Sequence, residues 1–383
     1  MTKSFHVALL GSKFMGKAHA NAWTQAPKFF ELPLHPKLAA VAARDAKSLA
    51  SFAKRWQIPQ QSCDWKQLCA DESIHLVDIA TPNALHPEQA WAALEHGKHL
   101  ACEKPLAGDL NSARSMRDAA AARPEQKSFV WFNYRRCPAI GLAYQLLRAG
   151  RLGKVLQIRA RYLQDWGGPE TERSWRFEKK HAGSGALGDL AAHAVDLARF
   201  LTGDEVSEVS GSILHTEYEQ RPDPAKPGST ALSDVDDVAL FLAKFEGGAV
   251  ASFEATRLAA GYQNANQIEI HGSKGSLRWD FEDMNLLWHY DGEAPAAEAG
   301  WRRIIATKAQ AHPYVQNWWP DAHLLGYEHG FVNMAADICR VLAGEPEELP
   351  LPDFADAYET QRVLEAAAHA ASERCAIPLR QIH

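Results

Sequence analysis

The stretch Phe5-His6-Val7-Ala8-Leu9-Leu10-Gly11-Ser12-Lys13-Phe14-Met15-Gly16 decides how this chain folds. Phe5–Leu10 reads as a strand, and a helical pattern runs from Phe14 to Thr24. A strand that enters a helix through a glycine turn is the place where the phosphates of a dinucleotide bind. Gly11 permits the tight turn, Gly16 lets the helix approach the sheet, and the first turn of the helix offers free N–H groups and the positive end of its dipole. Lys13 stands where the GxGxxG pattern has its middle glycine, so Lys13, Phe14 and Met15 would meet the phosphates through an altered set of contacts.

Outward from that turn, short apolar runs alternate with amphipathic stretches. Leu38–Ala43, Leu76–Ala80, His99–Cys102 and Ser128–Phe132 read as strands. Ala46–Trp56, Trp65–Cys69, Pro87–His96 and Leu110–Ala122 read as helices. This alternation calls for a parallel, doubly wound sheet with right-handed crossovers. After Arg136 the rhythm changes. A helix over Pro138–Ala149 leads into strands at Val155–Leu163, Val206–Leu214, Val235–Phe245, Ala249–Thr256, Gln267–His271, Gly275–Asp280 and Leu286–Tyr290, with late helices at Tyr327–Leu342 and Phe354–Ala371. Strands in succession imply a mixed or antiparallel sheet, so the domains are placed at 1–134 and 135–383. Gln220–Ser229, rich in proline, reads as an exposed loop.

The second strand closes on Val41-Ala42-Ala43-Arg44-Asp45. Ala43 takes the place of the acid that normally holds the adenosine ribose of NAD. Arg44 could pair with a 2′-phosphate or stack on adenine, and Asp45 could reach a ribose hydroxyl, so at this point NAD and NADP both stay open. Thr81-Pro82-Asn83 and Glu103-Lys104-Pro105 follow the fourth and fifth strands, at the carboxyl ends that border the binding crevice of an open parallel sheet. Pro105 holds Lys104 extended and admits a cis peptide. Farther on, Gly183–Gly188 reads as a loop entering a helix that carries Asp189 and His193. Four residues apart, these two would share one helical face and one substrate. Histidine suits the removal of a hydroxyl proton near neutral pH as a hydride leaves.

Composition excludes other classes. A chain of 383 residues, 46% hydrophobic and 23% charged, is long enough for two cores. A net charge of -6, mixed along the chain, gives no basic stripe for nucleic acid and no polybasic patch for a membrane. Six dispersed cysteines without a CxxC pair, and a start that leads straight into a strand, point to a cytoplasmic protein. The composition and spacing suggest no metal site.

With these residues assembled, the chain resembles the glucose-fructose oxidoreductase/inositol dehydrogenase/MocA family over essentially its whole length. The resemblance is carried by Gly11-Ser12-Lys13-Phe14-Met15-Gly16-Lys17-Ala18-His19, by Glu103-Lys104-Pro105-Leu106, and by Gly185-Ala186-Leu187-Gly188-Asp189 with His193. Phe132-Asn133-Tyr134-Arg135-Arg136, Tyr162-Leu163-Gln164-Asp165-Trp166, and His312-Pro313-Tyr314 with Asn317-Trp318-Trp319-Pro320 are most similar to the family's sugar, anhydrosugar and inositol dehydrogenases. The resemblance implies an N-terminal Rossmann domain and a C-terminal α/β domain with a large open, mainly antiparallel sheet, often used for homodimer or homotetramer contacts. It implies Lys104, Asp189 and His193 as the catalytic set. The cofactor would meet Gly11, Lys13, Phe14, Met15, Gly16, Arg44, Asp45, Thr81, Pro82, Asn83, His86, Glu103, Lys104, Asn133, Trp175 and Arg176. The substrate would meet Lys104, Tyr134, Gln164, Asp165, Trp166, Asp189, His193 and His323. NAD is the implied cofactor, with NADP as the other choice, and the implied reaction takes a hydride from a secondary hydroxyl of a sugar, anhydrosugar or inositol-type polyol. Two rival expectations are a glycosidase that oxidises its sugar transiently and recycles the cofactor, and a non-catalytic sugar or dinucleotide sensor.

Overall fold

The computed structural model describes residues 3–310 and 312–383. The chain divides into two compact units, one made of the residues up to 107 with 111–136 and 326–358, the other of 108–110, 137–325 and 359–383.

Up to residue 130 the elements are β1 (Lys3–Leu10), α1 (Phe14–Phe29), β2 (Leu34–Ala42), α2 (Ala46–Trp56), β3 (Gln60–Ser62), α3 (Trp65–Ala70), β4 (Leu76–Ile79), α4 (His86–Glu95), β5 (His99–Cys102), α5 (Leu110–Ala121) and β6 (Ser128–Val130). The strands form one parallel sheet in the order β3-β2-β1-β4-β5-β6. Val7, Leu9, Leu76, Val77, Ile79 and Leu100 are wholly or almost wholly buried, as strands covered by helices on both faces require. The order reverses between β1 and β4, which opens a crevice at their carboxyl ends. Gly11 turns there with φ +118°, and a Cβ on it would lie 2.4 Å from the Ala80 carbonyl oxygen. A Cβ on Gly16 would lie 2.4 Å from the Gly11 carbonyl oxygen, so neither position admits a side chain. The strand β3 was not expected, because Gln60-Gln61-Ser62 has no apolar pattern and is defined by its pairing with β2.

The later elements are α6 (Pro138–Arg148), β7 (Val155–Leu163), α7 (Lys179–Ala182), α8 (Ala192–Thr202), β8 (Val206–His215), β9 (Gln220–Pro222), β10 (Thr230–Leu232), β11 (Val238–Phe245), β12 (Val250–Thr256), β13 (Ala265–Gly272), β14 (Gly275–Asp280), β15 (Leu286–Asp291), β16 (Trp301–Ile305), α9 (Tyr327–Leu342), α10 (Phe354–Glu373) and β17 (Ile377–Pro378). Nine of these strands form a second sheet in the order β16-β15-β14-β13-β7-β12-β11-β8-β17. Among the described residues, the β7–β12 pair is the parallel one in this sheet and the other pairs are antiparallel. Ile158, Ala160, Phe241, Phe253, Ile268 and Leu277 point to its covered face, where α6 and α8 pack, while alternate residues stay at least partly exposed. The helix α9 belongs to the first unit and packs against α1.

The proline-rich segment is not simply an exposed loop. Its first residues form β9, which pairs with β10, and Arg221 is fully buried. Arg221 donates to Asp237 at 2.7 Å and to the Gly167 and Gly168 carbonyls at 3.0 Å, so both terminal nitrogens of this buried charge find acceptors. Among the described residues, no helix is long and apolar enough to cross a membrane.

Candidate active site

In the first unit the backbone ladder runs past the ends of the strands. Gly11 donates to the Ala42 carbonyl at 2.8 Å, Ala80 to Leu10 at 2.8 Å, and Glu103 to Ile79 at 2.9 Å. The turns carrying Gly11, Thr81 and Lys104 therefore start from neighbouring strands at one edge. Among the described residues no side chain caps the start of α1, where Lys13 stands, and its first turn holds no acid. That leaves first-turn N–H groups and a glycine cradle for an anion, and a dinucleotide's pyrophosphate fits both features. Lys13 and Phe14 are exposed, Met15 is half-buried, and the Phe14 ring stacks on Tyr327 at 6.1 Å.

The other expected cofactor contacts divide by burial. Arg44 is exposed. Asp45 caps α2 by accepting the Ser48 N–H at 2.7 Å, a bond that holds its carboxyl below the usual range. Thr81 donates its hydroxyl to Gln89 at 2.7 Å, Pro82 is half-buried and Asn83 is buried. His86 is fully buried with its ring nitrogens 3.0 and 3.2 Å from the Thr81 and Leu106 carbonyls, joining the turns that follow β4 and β5. The Lys104–Pro105 peptide is cis and Lys104 is half-buried. Asn133 and Tyr134 are buried on the turn after β6.

Behind this edge lies a charge cluster that the sequence reading did not assign. His19, on α1, is wholly buried with Nδ1 3.0 Å from both carboxylate oxygens of Asp78 and Nε2 2.9 Å from Glu103 Oε1. Trp23 and Trp131 donate their indole N–H groups to Asp78 at 2.7 and 2.8 Å. The other Glu103 oxygen accepts the Lys104 backbone N–H at 3.1 Å. Asp78 was the available signal, since a carboxylate inside the buried strand Leu76-Val77-Asp78-Ile79 must find partners.

In the second unit, Asp189 and His193 do not lie on one plain α-helix. Leu187–Ala191 is a π-helical turn, and α8 begins at Ala192, so Asp189 stands on the wide turn and His193 on the helix it feeds. π-turns occur frequently at functional sites. Asp189 Oδ2 accepts from the buried Arg257 guanidinium at 2.9 Å. Arg257 also reaches the Arg176 carbonyl at 3.3 Å and lies 5.0 Å from the Trp166 ring centre. The loop before Asp189 is tied by Asp236, whose two carboxylate oxygens accept the Gly185 and Leu187 N–H groups, each at 2.7 Å. Burial pushes the Asp236 carboxyl above its ordinary value, against those two bonds and the Arg257 charge.

Neither Arg257 nor Asp236 was foreseen. Asp236 lay inside the expected strand Val235–Phe245, whose actual start is Val238. Two consecutive acids at the head of an apolar strand were its signal.

Of the expected sugar contacts, Gln164 and Trp166 belong to one hydrogen-bonded set. Tyr162 and Gln164 both donate to Asn264 Oδ1 at 2.6 Å, Trp166 donates to Gln164 at 2.6 Å, and Gln263 donates to Asp165 at 2.9 Å. The Tyr162 ring lies 5.8 Å from that of His193, which is buried. Trp175 and Arg176 share a short turn, with the guanidinium 4.6 Å from the indole centre. His323 is exposed, and its ring nitrogen is 2.8 Å from the Pro320 carbonyl, a contact outside that set.

Two family models match the chain. One, described as an oxidoreductase family with an NAD-binding Rossmann fold, matches residues 5–131, and the GFO/IDH/MocA C-terminal domain matches residues 141–278. Levoglucosan dehydrogenase of Pseudarthrobacter phenanthrenivorans is 38% identical and aligned over 99% of both chains. An oxidoreductase domain protein from Kribbella flavida, solved by crystallography, is 48% identical with a TM-score of 0.93, covering 98% of this chain and 99% of its own. A levoglucosan dehydrogenase solved with NADH and levoglucosan is 38% identical with a TM-score of 0.92 over 98% and 99% of the two chains. The chain therefore belongs to the GFO/IDH/MocA family of oxidoreductases, and its first unit contains the family's NAD-binding Rossmann fold.

Proposed function

We propose that this chain is an NAD-dependent dehydrogenase that oxidises a secondary hydroxyl of a sugar or anhydrosugar, with Lys104, Asp189 and His193 around the reacting carbon. The reading is carried by its likeness, over nearly the full length, to an enzyme solved with NADH and levoglucosan. In this reading His193 takes the hydroxyl proton, and the Lys104 ammonium opposes the negative charge that develops on oxygen. Asp189, held by Arg257, orients the substrate or balances the charge. Trp166 offers a flat face to sugar C–H groups, and Gln164 and Asp165 offer directed polar partners. Gly11, Gly16 and the first turn of α1 would hold the pyrophosphate. NAD, when bound, supplies the acceptor for the hydride that leaves the substrate carbon.

In this reading the functional line is drawn at 134/135, with the cofactor held by residues 1–134 and the sugar and oligomer contacts supplied from 135–383, of which 135–136 and 326–358 pack with the first unit. The open face of the second sheet supports a homodimer or homotetramer. Ile213, Leu242 and Val250 are 57%, 52% and 49% exposed on neighbouring strands β8, β11 and β12, beside a polar ladder that includes Arg159–Glu269. Light scattering of the Leu242→Lys variant should report a smaller particle than the parent.

The test of the reaction is a panel of anhydrosugars, aldoses and inositols, each tried with NAD and with NADP, while absorbance of the reduced nicotinamide is followed. Steady accumulation of NADH with an anhydrosugar or sugar is expected. Glycosidic bond cleavage without net reduction would mean a hydrolase, and no response across the panel would mean a sensor.

A further inference from the structure

His19 takes no part in the chemistry proposed above, yet both of its ring nitrogens face acids, at 3.0 Å from Asp78 and 2.9 Å from Glu103. An ionised carboxylate only accepts, and a neutral imidazole donates from one nitrogen alone. Asp78 also accepts two indole N–H groups, one on each oxygen, which is the environment of an ionised carboxylate. The geometry therefore calls for an imidazolium shared by two carboxylates. The groups facing it are Asp78 from β4, Glu103 after β5, Trp131 after β6 at 4.5 Å between ring centres, and Phe331 from α9 at 5.7 Å. The nearby Cys102 thiol is held far above its ordinary range by burial and by Glu103 and Asp78, so it adds no charge. Burial alone would lower the His19 pKa, but Asp78 and Glu103 outweigh it and lift the ring to about 9.

The consequence lies one bond farther on. Glu103 Oε1 is on the imidazole and Oε2 accepts the Lys104 N–H, so the carboxylate that His19 fixes is the one that holds the start of the Lys104–Pro105 turn. We infer that His19 is a positioning residue: as a buried cation between Asp78 and Glu103 it locks the Glu103 carboxylate, and through the Lys104 amide it sets where the Lys104 ammonium stands. This rests on the reading of Lys104 as the amine beside the reacting oxygen. Without the cation, two buried acids would face each other unshielded, Glu103 would turn away, and the Lys104 turn would lose its anchor.

The test compares His19→Gln, Lys104→Ala and the double variant in the full-length enzyme, with NAD and the best sugar of the panel. A folded His19→Gln should lose about a hundredfold in kcat, the scale of an ångström of misplacement, with little change in the sugar KM. In the Lys104→Ala background the same substitution should change kcat no further, because the path it acts through is gone. A structural role would instead add its loss to that of Lys104→Ala, and additive losses would overturn the inference. Two readouts on the unaltered enzyme stand beside the variants. The imidazole nitrogen shifts of His19 should show both nitrogens protonated at neutral pH, and kcat should fall in the same range, near pH 9, in which those shifts report deprotonation. A neutral His19 at neutral pH, or kcat that stays level while the imidazolium loses its proton, would also overturn it. If Lys104→Ala itself turns over normally, the catalytic reading fails. If Lys104→Ala is inactive while folded His19→Gln is near normal, only the His19 link fails.

Discussion

In the first unit Asp78 and Glu103 share the imidazole of His19, whereas in the second Asp189 is bonded to the guanidinium of Arg257, whose charge also acts on Asp236. Each cluster places two acids about one buried cation, and each supports a segment carrying a proposed catalytic group. The difference lies in the cation. Arginine keeps its charge throughout the range in which proteins fold, and its planar fork donates in fixed directions. Histidine carries its charge only while its neighbours hold its pKa up. The cluster behind Lys104 is thus conditional on pH, and the one behind Asp189 is permanent.

The largest expected effect comes from removing the permanent cation. Arg257→Met leaves the Asp189 and Asp236 carboxylates without their cation, and breaking a buried pair in this way costs about 3–5 kcal/mol. Urea unfolding of the variant and the parent measures it. A loss below about 1 kcal/mol, the scale of an exposed ion pair, would mean that Arg257 is not what holds the second cluster together.

Next in size is the pH dependence of the first cluster. The folded His19 pKa of about 9 is raised above the 6.5 of the unfolded chain, so its stabilisation is fully present below pH 6.5. It declines as pH rises and is gone once pH has passed 9. At about 1.4 kcal/mol per pH unit this amounts to about 3 kcal/mol. Stability curves measured at pH 6, 8 and 10 should show that decline in the parent and a shallower one in His19→Gln, while Arg257→Met keeps the slope of the parent.

The acids of the two clusters also differ in what they tie down. Asp236 accepts two backbone N–H groups, and an amide nitrogen in Asp236→Asn would face one of them, leaving a buried donor unsatisfied. That change should cost about 1–3 kcal/mol. It should also speed hydrogen exchange of the Gly185 and Leu187 amides. Unchanged protection there would detach Asp236 from the loop before Asp189.

The parts of this architecture legible in the sequence are those whose cause is local. Gly11 and Gly16 could be read as a turn because the carbonyls that exclude a side chain there belong to the turn and the adjoining strand end. The buried runs of β4 and β5 announce parallel strands by composition alone. The short β3, β16 and β17 could not be read, because they are defined by the neighbour they pair with rather than by an apolar pattern. Asp189 and His193 were recognised by type and spacing, but the π-turn between them was not, since i→i+5 bonding leaves no residue signature. Arg257 follows directly on β12 and lies 68 positions from Asp189 in the sequence. Strand alternation says which face a residue occupies, not which distant acid it meets. His19 stood in view within the glycine motif, and its meaning depended on Asp78 and Glu103, which the sheet order brings beside it.

In the proposed reaction Lys104 manages the charge and His193 the proton as a hydride leaves a sugar carbon. Single-turnover NADH formation by Lys104→Ala and by His193→Ala, against the parent with saturating NAD and sugar, tests it most directly. Each variant should fold, bind NADH and lose about a hundredfold or more in the rate of NADH formation. Near-parental rates in either would contradict the account.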